Sequence, residues 1–453
     1  MTGGARRVRD MSRTAPRRDG PARPLLRSIG MDTTRRTILR GMAAAPVAAT
    51  AGGLLLPHGA RAAQAAADPM PLDLRVRTRA KGTGTSYPDV IKRLLLMADS
   101  ERPEERHGLA RASLAGILAD ANRKGRPARP DWPGASLPRL RTSFQWQGAD
   151  EKNSISNDFR TKYWRPQGIS NHYTGAGGTT PDILMVSWYA RAGAKDQGAR
   201  ISIVDLSDPG APRYRHVLLV EPWVQGRRFT FRPATLHAGG IAWYGNRLYI
   251  ADTVKGLRVF NTDEMLEVAT GGRADKCGYW KGKYYAHRYK YVLPQSRAYD
   301  HVAPNQVEVQ QRYSQVAVDV TTRPHSLVVS EFMRPLETSS RAVRWNLDPG
   351  TGALVPARPG GLVRSVARDR IRHGGQVQGA VSVLGTYYLS ASAGPDRYGT
   401  VRTWRKQAVG DPPAAFAWHQ AEGPEDLSHD ARAGVLWSVN EYEGNRYVYS
   451  MTL

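Results

Sequence analysis

The stretch HAGGIAWYGNRLYIADTVKGLRVF, residues 237 to 260, places small residues before a short apolar run and follows it with two alternating runs joined by a polar turn. The same cadence returns four more times. Runs of β-branched and aromatic residues lie at 183–190 (ILMVSWYA), 247–253 (RLYIADT), 326–332 (SLVVSEF), 386–392 (TYYLSAS) and 435–441 (VLWSVNE). Each is followed, after a polar turn, by RISIVDL, GLRVFNT, RAVRWNL, TVRTWRK or NRYVYSM. Alternation at period two between turn residues predicts antiparallel hairpins, because successive side chains of a strand point to opposite faces.

A third short run precedes each pair: RPQGIS (165–170), HAGGIA (237–242), YSQVAV (313–318), QVQGAV (376–381) and GPEDLS (423–428). Small or polar residues lead into an apolar stretch in every copy. Innermost propeller strands have this composition, since several of them crowd one axis and only small side chains fit there. The third aligned positions are 72, 76, 63 and 47 residues apart. Those intervals exceed the roughly 40–50 residues of a simple blade array, so the early copies carry insertions. The expected fold class is all-β, a five-bladed β-propeller with six blades as the alternative. The run RTSFQWQG (141–148) alternates without a nearby partner and would complete the last copy, closing the ring and removing a free sheet edge.

ISIVDLSDPGAPRYRHVLLVEP (201–222) and NRLYIADTVKGLRVFNTDEM (246–265) resemble the LVIVD-type repeats of secreted bacterial β-propellers, in which a strand ends in Asp before a Ser-Asp-Pro turn. The resemblance spans residues 140–453, is closest in the first two copies, and implies a fold without an attached activity.

Upstream of the repeats, TTRRTILRGMAAAPVAATAGGLLLPHGARAAQAAADP has a charged start, an Ala/Leu-rich apolar stretch and small-residue cleavage positions near Ala62 or Ala65. Thr34-Arg35-Arg36-Thr37-Ile38-Leu39-Arg40 resembles the twin-arginine export consensus. The implied organisation is 1–30, disordered or upstream of the true start at Met31; 31–65, a twin-arginine signal peptide; 66–138, a short helical extension with a Pro-rich linker; and 139–453, the propeller. Helical spacing at Ile91, Leu94 and Leu95 and again at Leu109, Leu114, Ile117 and Leu118 supplies two amphipathic helices, interrupted by Pro103. GRPARPDWPGASLP (125–138) reads as the linker. The expected location is secreted and extracellular, with the Tat translocase as a partner during export and no transmembrane segment after signal removal.

Composition narrows the partners. Of 65 basic and 40 acidic residues, 12 and 3 lie in residues 1–65, which leaves 53 against 37 and a net charge of +16 beyond the signal. The excess is spread over many arginines, as in an Arg- and Ala-rich actinobacterial proteome, so it describes solvated surface and no nucleic-acid partner is expected. Cys277 is the one cysteine, which excludes an internal disulfide and a Cys-based metal site. The aromatic and basic segment CGYWKGKYYAHRYKYVLPQSRAYDH (277–301) reads either as outer strands or as a surface that stacks on rings and contacts acidic groups.

Inner strands of a propeller begin around one mouth of its channel. That convergence nominates Gln167, His237, Gln315, His373, Gln376, Gln378, Glu425 and Asp426 as ligand-binding residues, and His237, Glu425 and His429 as catalytic candidates. A metal held by His237, His373 and His429 with Glu425 or Asp426 lacks any H-x-H or H-E-x-x-H spacing, so no metal site is assigned. No nucleophile elbow, P-loop or dinucleotide fingerprint occurs, and no cofactor is identified. Asp205, Asp208 and Asp252 sit at strand ends as turn caps. The functions compatible with this set are binding of a polar small molecule or cell-envelope polymer at the channel mouth, a lyase or hydrolase using His and Glu there, and a protein-interaction scaffold. An enzyme loses activity with its fold intact when His237→Ala or Glu425→Gln is made; a binder loses affinity in graded steps across several mouth residues; a scaffold responds only to changes around Trp280.

Overall fold

The computed structural model describes residues 72–148, 157–191, 197–271, 274–302, 311–332, 339–357, 361–373, 376–407, 410 and 412–453. The upstream segments 1–30 and 31–65, with the paired arginines, lie outside the described residues. The described chain is mostly β: one fourteen-stranded sheet, two four-stranded sheets, one five-stranded sheet and a two-stranded hairpin; the large sheet contains two antiparallel meanders, called here the first and second sheets.

The first sheet runs Trp164–Tyr173, Thr179–Ala190, Ala199–Asp205 and Arg213–Gln225, with Arg228–Pro233 added at its outer edge. In the second, Ile241–Tyr244, Arg247–Asp252 and Gly256–Asn261 are followed by Tyr291–Val302. The third is Ala317–Asp319, Ser326–Ser330, Ser339–Asn346 and Ala367–Arg372. The fourth is Gln376–Val383, Thr386–Ser392, Tyr398–Arg405 and Ala415–Glu422. In the fifth, Pro424–Asp430, Val435–Asn440 and Tyr447–Thr452 are completed by Leu140–Gln145, which pairs Phe144 with Val448. The alternating run near residue 141 thus supplies the outer strand that the last copy lacks. Parallel bridges between Trp243 and His172 and between Leu293 and Leu219 tie the first two sheets together.

Apolar cores alternate with the sheets. Met185, Ile203 and Ile250 fill the space between the first and second, and Tyr249, Val329 and Trp345 that between the second and third. Val328 meets Leu389 between the third and fourth, Val401 meets Leu436 between the fourth and fifth, and Trp188 meets Val448 between the fifth and first. The circle of cores therefore closes on itself. Each strand with both faces covered reads as a near-continuous apolar run, which is why Arg200–Val204 and Val435–Asn440 are buried at every position.

Residues 72–138 are woven into these sheets. Asp73–Arg77 pairs with Tyr291–Val302 on one side and Leu362–Arg364 on the other, a strand the helical spacing gave no sign of. Helices form at Tyr87–Ala98 and Leu114–Ala119, capped by Ser86 and Ser113, with a further turn at Pro103–Arg106; Leu109, expected on the second helix, lies outside it. Tyr87, Val90, Ile91 and Leu94 are buried on the first of these, whose apolar stripe packs with Leu218, Phe231 and Val292. The stretch expected as a linker is held as well: Trp132 is buried 5.0 Å edge-on from Tyr449, and Arg126–Pro127 pairs with Leu140–Gln145. The 277–301 segment forms the hairpin Cys277–Trp280 and Lys283–Ala286 and then the outer strand of the second sheet.

One buried carboxylate braces the junction of the last and first sheets. Asp158 accepts from Arg123 (3.0 Å), Arg200 (2.8 Å), Tyr214 (2.8 Å) and His216 (3.0 Å). Burial would push this carboxyl up, but His216, Arg200 and Arg123 overcome it and hold it well below the usual carboxylate range. Arg200 also lies 4.4 Å from the Trp164 ring centre.

Close backbone approach at the axis makes a specific demand on glycine. A Cβ on Gly240 would stand 2.5 Å from the Gln315 Cα, whereas one on Gly245 meets nothing within 4 Å. Gly240→Ala should therefore destabilise the fold by about 2–3 kcal/mol, while Gly245→Ala, with only its positive φ against it, costs about 1 kcal/mol. Urea-unfolding midpoints of the two variants check the contrast.

Candidate functional site

The first strands of the five sheets meet at one level. Gly168 abuts the Ile241 amide and the Gly240 carbonyl carbon, Gly240 abuts Gln315, and the Gln315 amide donates to the Ala380 carbonyl at 2.8 Å. Gly379 lies against the Asp426 Cα, and Asp426 accepts from the Ile169 N–H at 3.3 Å, which completes the circuit. The tertiary fold therefore brings Gln167, Gln315, Gln378, Glu425 and Asp426 together at one depth, and all five are buried.

Their roles differ. Asp426 accepts N–H bonds from Ile241 (3.1 Å) and Leu427 (2.9 Å) as well as Ile169, so its carboxyl clasps three inner-strand amides. Burial pushes its pKa well up against the pull of those donors. Ser187 performs a smaller version of the task, accepting from the Gly168 N–H at 2.9 Å and donating to the Ala238 carbonyl at 2.8 Å. Gln167 donates to the Pro166 carbonyl and reaches Glu441 at 3.3 Å.

Toward solvent, Arg165 pairs with Glu441 at 3.1 Å, the two side chains 16% and 11% exposed. Burial and the Glu441 carboxylate push the neighbouring Tyr442 phenol up to about 12; Ser392, Glu425 and Arg165 also act on it. Residues of the first and fifth sheets thus converge on one mostly buried cluster with a partly exposed edge: a guanidinium, a carboxylate, a phenol and the amide of Gln167. This arrangement can hold a polar ligand by exchanging the Arg165–Glu441 pair for contacts to the ligand's own acceptors and donors. Burial pushes Arg446 behind it down to about 9, and its guanidinium donates to the Glu441 and Asp158 carbonyls.

Other nominated residues stand apart. His237 is half-buried, with its ring 4.3 Å from Tyr189. His373 is buried and bonds Ser340 at 2.9 Å, its pKa pushed down to about 4 by burial with Arg402 nearby. Gln376, half-buried, opens the fourth sheet's inner strand. His429 is four residues beyond Glu425 on a single strand, roughly 13 Å along it, and cannot share a mouth with that carboxylate. It instead neighbours Asp430 and Asp319, with burial lowering its pKa against their pull. His429 and Glu425 are therefore set at different depths, and among the described residues no group of three His, Cys, Asp or Glu is placed to hold a metal ion.

Arg165, Glu441 and Tyr442 were not singled out in the repeats. Their signal was present at the ends of the second strands, where VLWSVNE and SLVVSE finish on Glu441 and Glu331 in two copies. Glu331 is saturated, accepting from the Arg312 N–H (2.9 Å) and from Arg341 Nε (2.7 Å), and serves the fold. Asp205 and Asp208 cap turns as expected, whereas Asp252 receives Arg258 at 2.8 Å. The Cys277 thiol is pushed up by burial, away from nucleophilic use.

No family model and no curated protein matches this chain. Among solved structures it overlaps a GH43_1 enzyme from Xanthomonas citri at 14% identity and TM-score 0.32, over 67% of this chain and 91% of that one. It also overlaps the PQQ-bound aldose sugar dehydrogenase of Streptomyces coelicolor (12%, TM-score 0.31, 76% and 98%) and the β-propeller domain of Myceliophteria thermophila Cps50 (Swd1) (8%, TM-score 0.30, 67% and 100%). At these TM-scores none of the three carries an argument about activity. Among the described residues no helix is long and apolar enough to cross a membrane.

The geometry separates a structural carboxylate from its neighbour in sequence. Asp426→Ala leaves three buried N–H groups without their acceptor and should cost about 3–5 kcal/mol, while Glu425→Gln should cost less than half as much. Chemical denaturation of both variants reads the difference.

Proposed function

We propose that this chain is a secreted five-bladed β-propeller of the LVIVD-repeat type that binds a polar small molecule or envelope oligosaccharide at the mouth where its inner strands begin. Five meanders with a closing circle of cores support the blade count. The observation that carries the binding reading is the convergence of Arg165, Gln167, Glu441 and Tyr442 from separate sheets onto one partly exposed polar cluster. A lyase or hydrolase would use Glu425 with His237 at the same end, since His429 is too far along its strand to take part.

Ligands found by thermal-shift screening of polar metabolites and envelope oligosaccharides should be titrated against Arg165→Ala and Gln167→Ala. Each should weaken binding by about tenfold, roughly 1.4 kcal/mol, with melting temperatures kept within a few degrees. Unchanged affinity in both would remove the mouth as the site. Turnover that vanishes in Glu425→Gln while affinity survives would replace the binder by an enzyme. Export is tested separately: the Arg35→Lys, Arg36→Lys double variant should retain the protein in the cells, and its appearance in the medium at wild-type levels would refute a twin-arginine signal.

A further inference from the structure

Where the N-terminal extension passes from the first sheet to the fifth, the chain frames a cleft that the channel mouth does not use. Arg123–Lys124 pairs antiparallel with the start of Arg213–Gln225, Arg123 opposite Tyr214 and Lys124 opposite Arg213. Directly afterwards Arg126–Pro127 pairs with the closing strand Leu140–Gln145. Gly125 makes the crossover, its N–H donating to the Pro212 carbonyl at 2.8 Å. A Cβ at Gly125 would stand 2.7 Å from the Phe144 ring, so the crossing runs tight against the closing strand.

Register sets the direction of the side chains. Arg123 and Tyr214 turn inward, both reaching the Asp158 carboxylate, at 3.0 and 2.8 Å. Lys124 and Arg213, next to them on the same two strands, therefore share the outward face and are exposed. Like charges placed directly opposite across a strand pair repel each other. No acid relieves them: the Lys124 ammonium has no hydrogen bond or ion pair among the described residues, and Arg213 donates only to the Ala121 carbonyl, at 2.7 Å. Asp205, opposite Arg213 on its other side, accepts from the Ser207 N–H at 2.9 Å, and Asp208 accepts from the Gly210 N–H at 2.8 Å. The cleft beside this pair measures about 480 Å³ and is lined by Lys124, Arg126 and Arg213 together with Pro127, Ala211 and Pro212; no carboxylate lines it. That volume falls in the range of small-ligand sites. Arg126 is aimed by Gln145, whose Oε1 accepts from its guanidinium at 2.8 Å. Two of the three cations are thus pre-set by bonds to the fold, which leaves a ligand less side-chain entropy to remove.

We propose that this cleft binds a small organic phosphate monoester, its phosphate received by Lys124 and Arg213 with Arg126 beside them, and its carbon skeleton laid against Pro127, Ala211 and Pro212. The number of charges selects the class. A phosphate monoester carries about −1.5 to −2 charges at neutral pH and three strong acceptor oxygens, enough to neutralise both members of the opposed pair. A single carboxylate neutralises one of them. The apolar part of the lining gives an organic ester contacts that inorganic phosphate lacks. A ligand here touches both the extension and the first sheet, so it binds only the closed ring and stabilises it. The cleft is independent of the channel mouth.

The test titrates the purified chain by calorimetry with α-glycerophosphate and glucose 6-phosphate, and with glucose, glucuronate and inorganic phosphate for comparison. At least one of the two esters should bind at low salt and raise the melting temperature. Its affinity should fall several-fold on adding salt, and again on acidification from about pH 7.5 to about pH 5, where the ester takes up its second proton. Glucose should not bind, and glucuronate and inorganic phosphate should each bind at least fivefold more weakly than the ester. Lys124→Glu should weaken the ester at least tenfold, whereas Lys124→Arg should keep most of the affinity. The Lys124 ammonium bonds nothing in the fold, so both variants should melt within a few degrees of the unliganded wild type. Arg213→Gln should weaken binding to a similar extent, and Lys124→Glu decides the matter where loss of the Ala121 bond unsettles the fold. Failure of both esters to bind at millimolar concentration, undiminished binding in Lys124→Glu, or equal binding of glucuronate or inorganic phosphate would each overturn the proposal. Arg165→Ala, which alters the mouth, should leave ester affinity unchanged, so the two sites fail or succeed separately.

Discussion

Backbone contact between neighbouring inner strands is the constraint on which the rest of this structure depends. Gly168 touches the next strand at Ile241, Gly240 touches Gln315, and Gly379 touches Asp426, each at distances that a Cβ would violate. Strands this close leave no room for apolar side chains at the axis, so the axis cannot be a hydrophobic core. It is instead filled by polar groups that bond across strands: Asp426 to three amides, Gln315 to the Ala380 carbonyl, Ser187 to Gly168 and Ala238. Buried polar atoms are tolerable there because their partners are backbone groups that would otherwise be left unpaired.

Apolar stabilisation is displaced outward into five cores shared by neighbouring sheets and a sixth under the Tyr87–Ala98 helix. A sheet in such an arrangement is covered on both faces, so no single sheet is stable alone and the circle must close. Closure rests on the outer strand Leu140–Gln145 and on the Asp158 cluster beside it, in which Arg123, Arg200, Tyr214 and His216 converge on one carboxylate. Removing any one cation would leave a buried charge poorly compensated, and such clusters are worth more intact than their pairwise parts imply. The same closing strand carries Phe144 into the core between the fifth and first sheets.

Because the axis is consumed by structural contacts, chemistry is left to the places where polar side chains emerge from it. Arg165 and Glu441 do so at the mouth, beside Gln167. Insertions at an outer edge disturb nothing at the axis, which explains how the repeat spacing drifts from 76 to 47 residues while the inner strands keep their common level.

Strand positions were legible because period-two alternation and turn residues are local properties: RLYIADT and TYYLSAS are strands wherever the chain places them. The glycines and glutamines of the inner strands were legible for a related reason, since crowding selects for small and hydrogen-bonding residues whatever their partners. Which polar residues were free for a ligand was not legible. Asp426 and Glu425 are adjacent in sequence, yet one clasps its own neighbour's amide and two more from other sheets, and the other faces the Tyr442 cluster. Glu425 and His429 looked like partners on one strand, but the rise of an extended chain sends them to different depths. Asp73–Arg77 joined a sheet without alternation strong enough to announce it, because its pairing is set by Tyr291–Val302 and Leu362–Arg364. Sequence by itself determined the repeat, the strands and the kind of residue the axis would accept, all of which follow from one segment's own pattern. Only the tertiary structure decided which of those residues meet, because backbone amides that claim a side chain belong to strands hundreds of residues away.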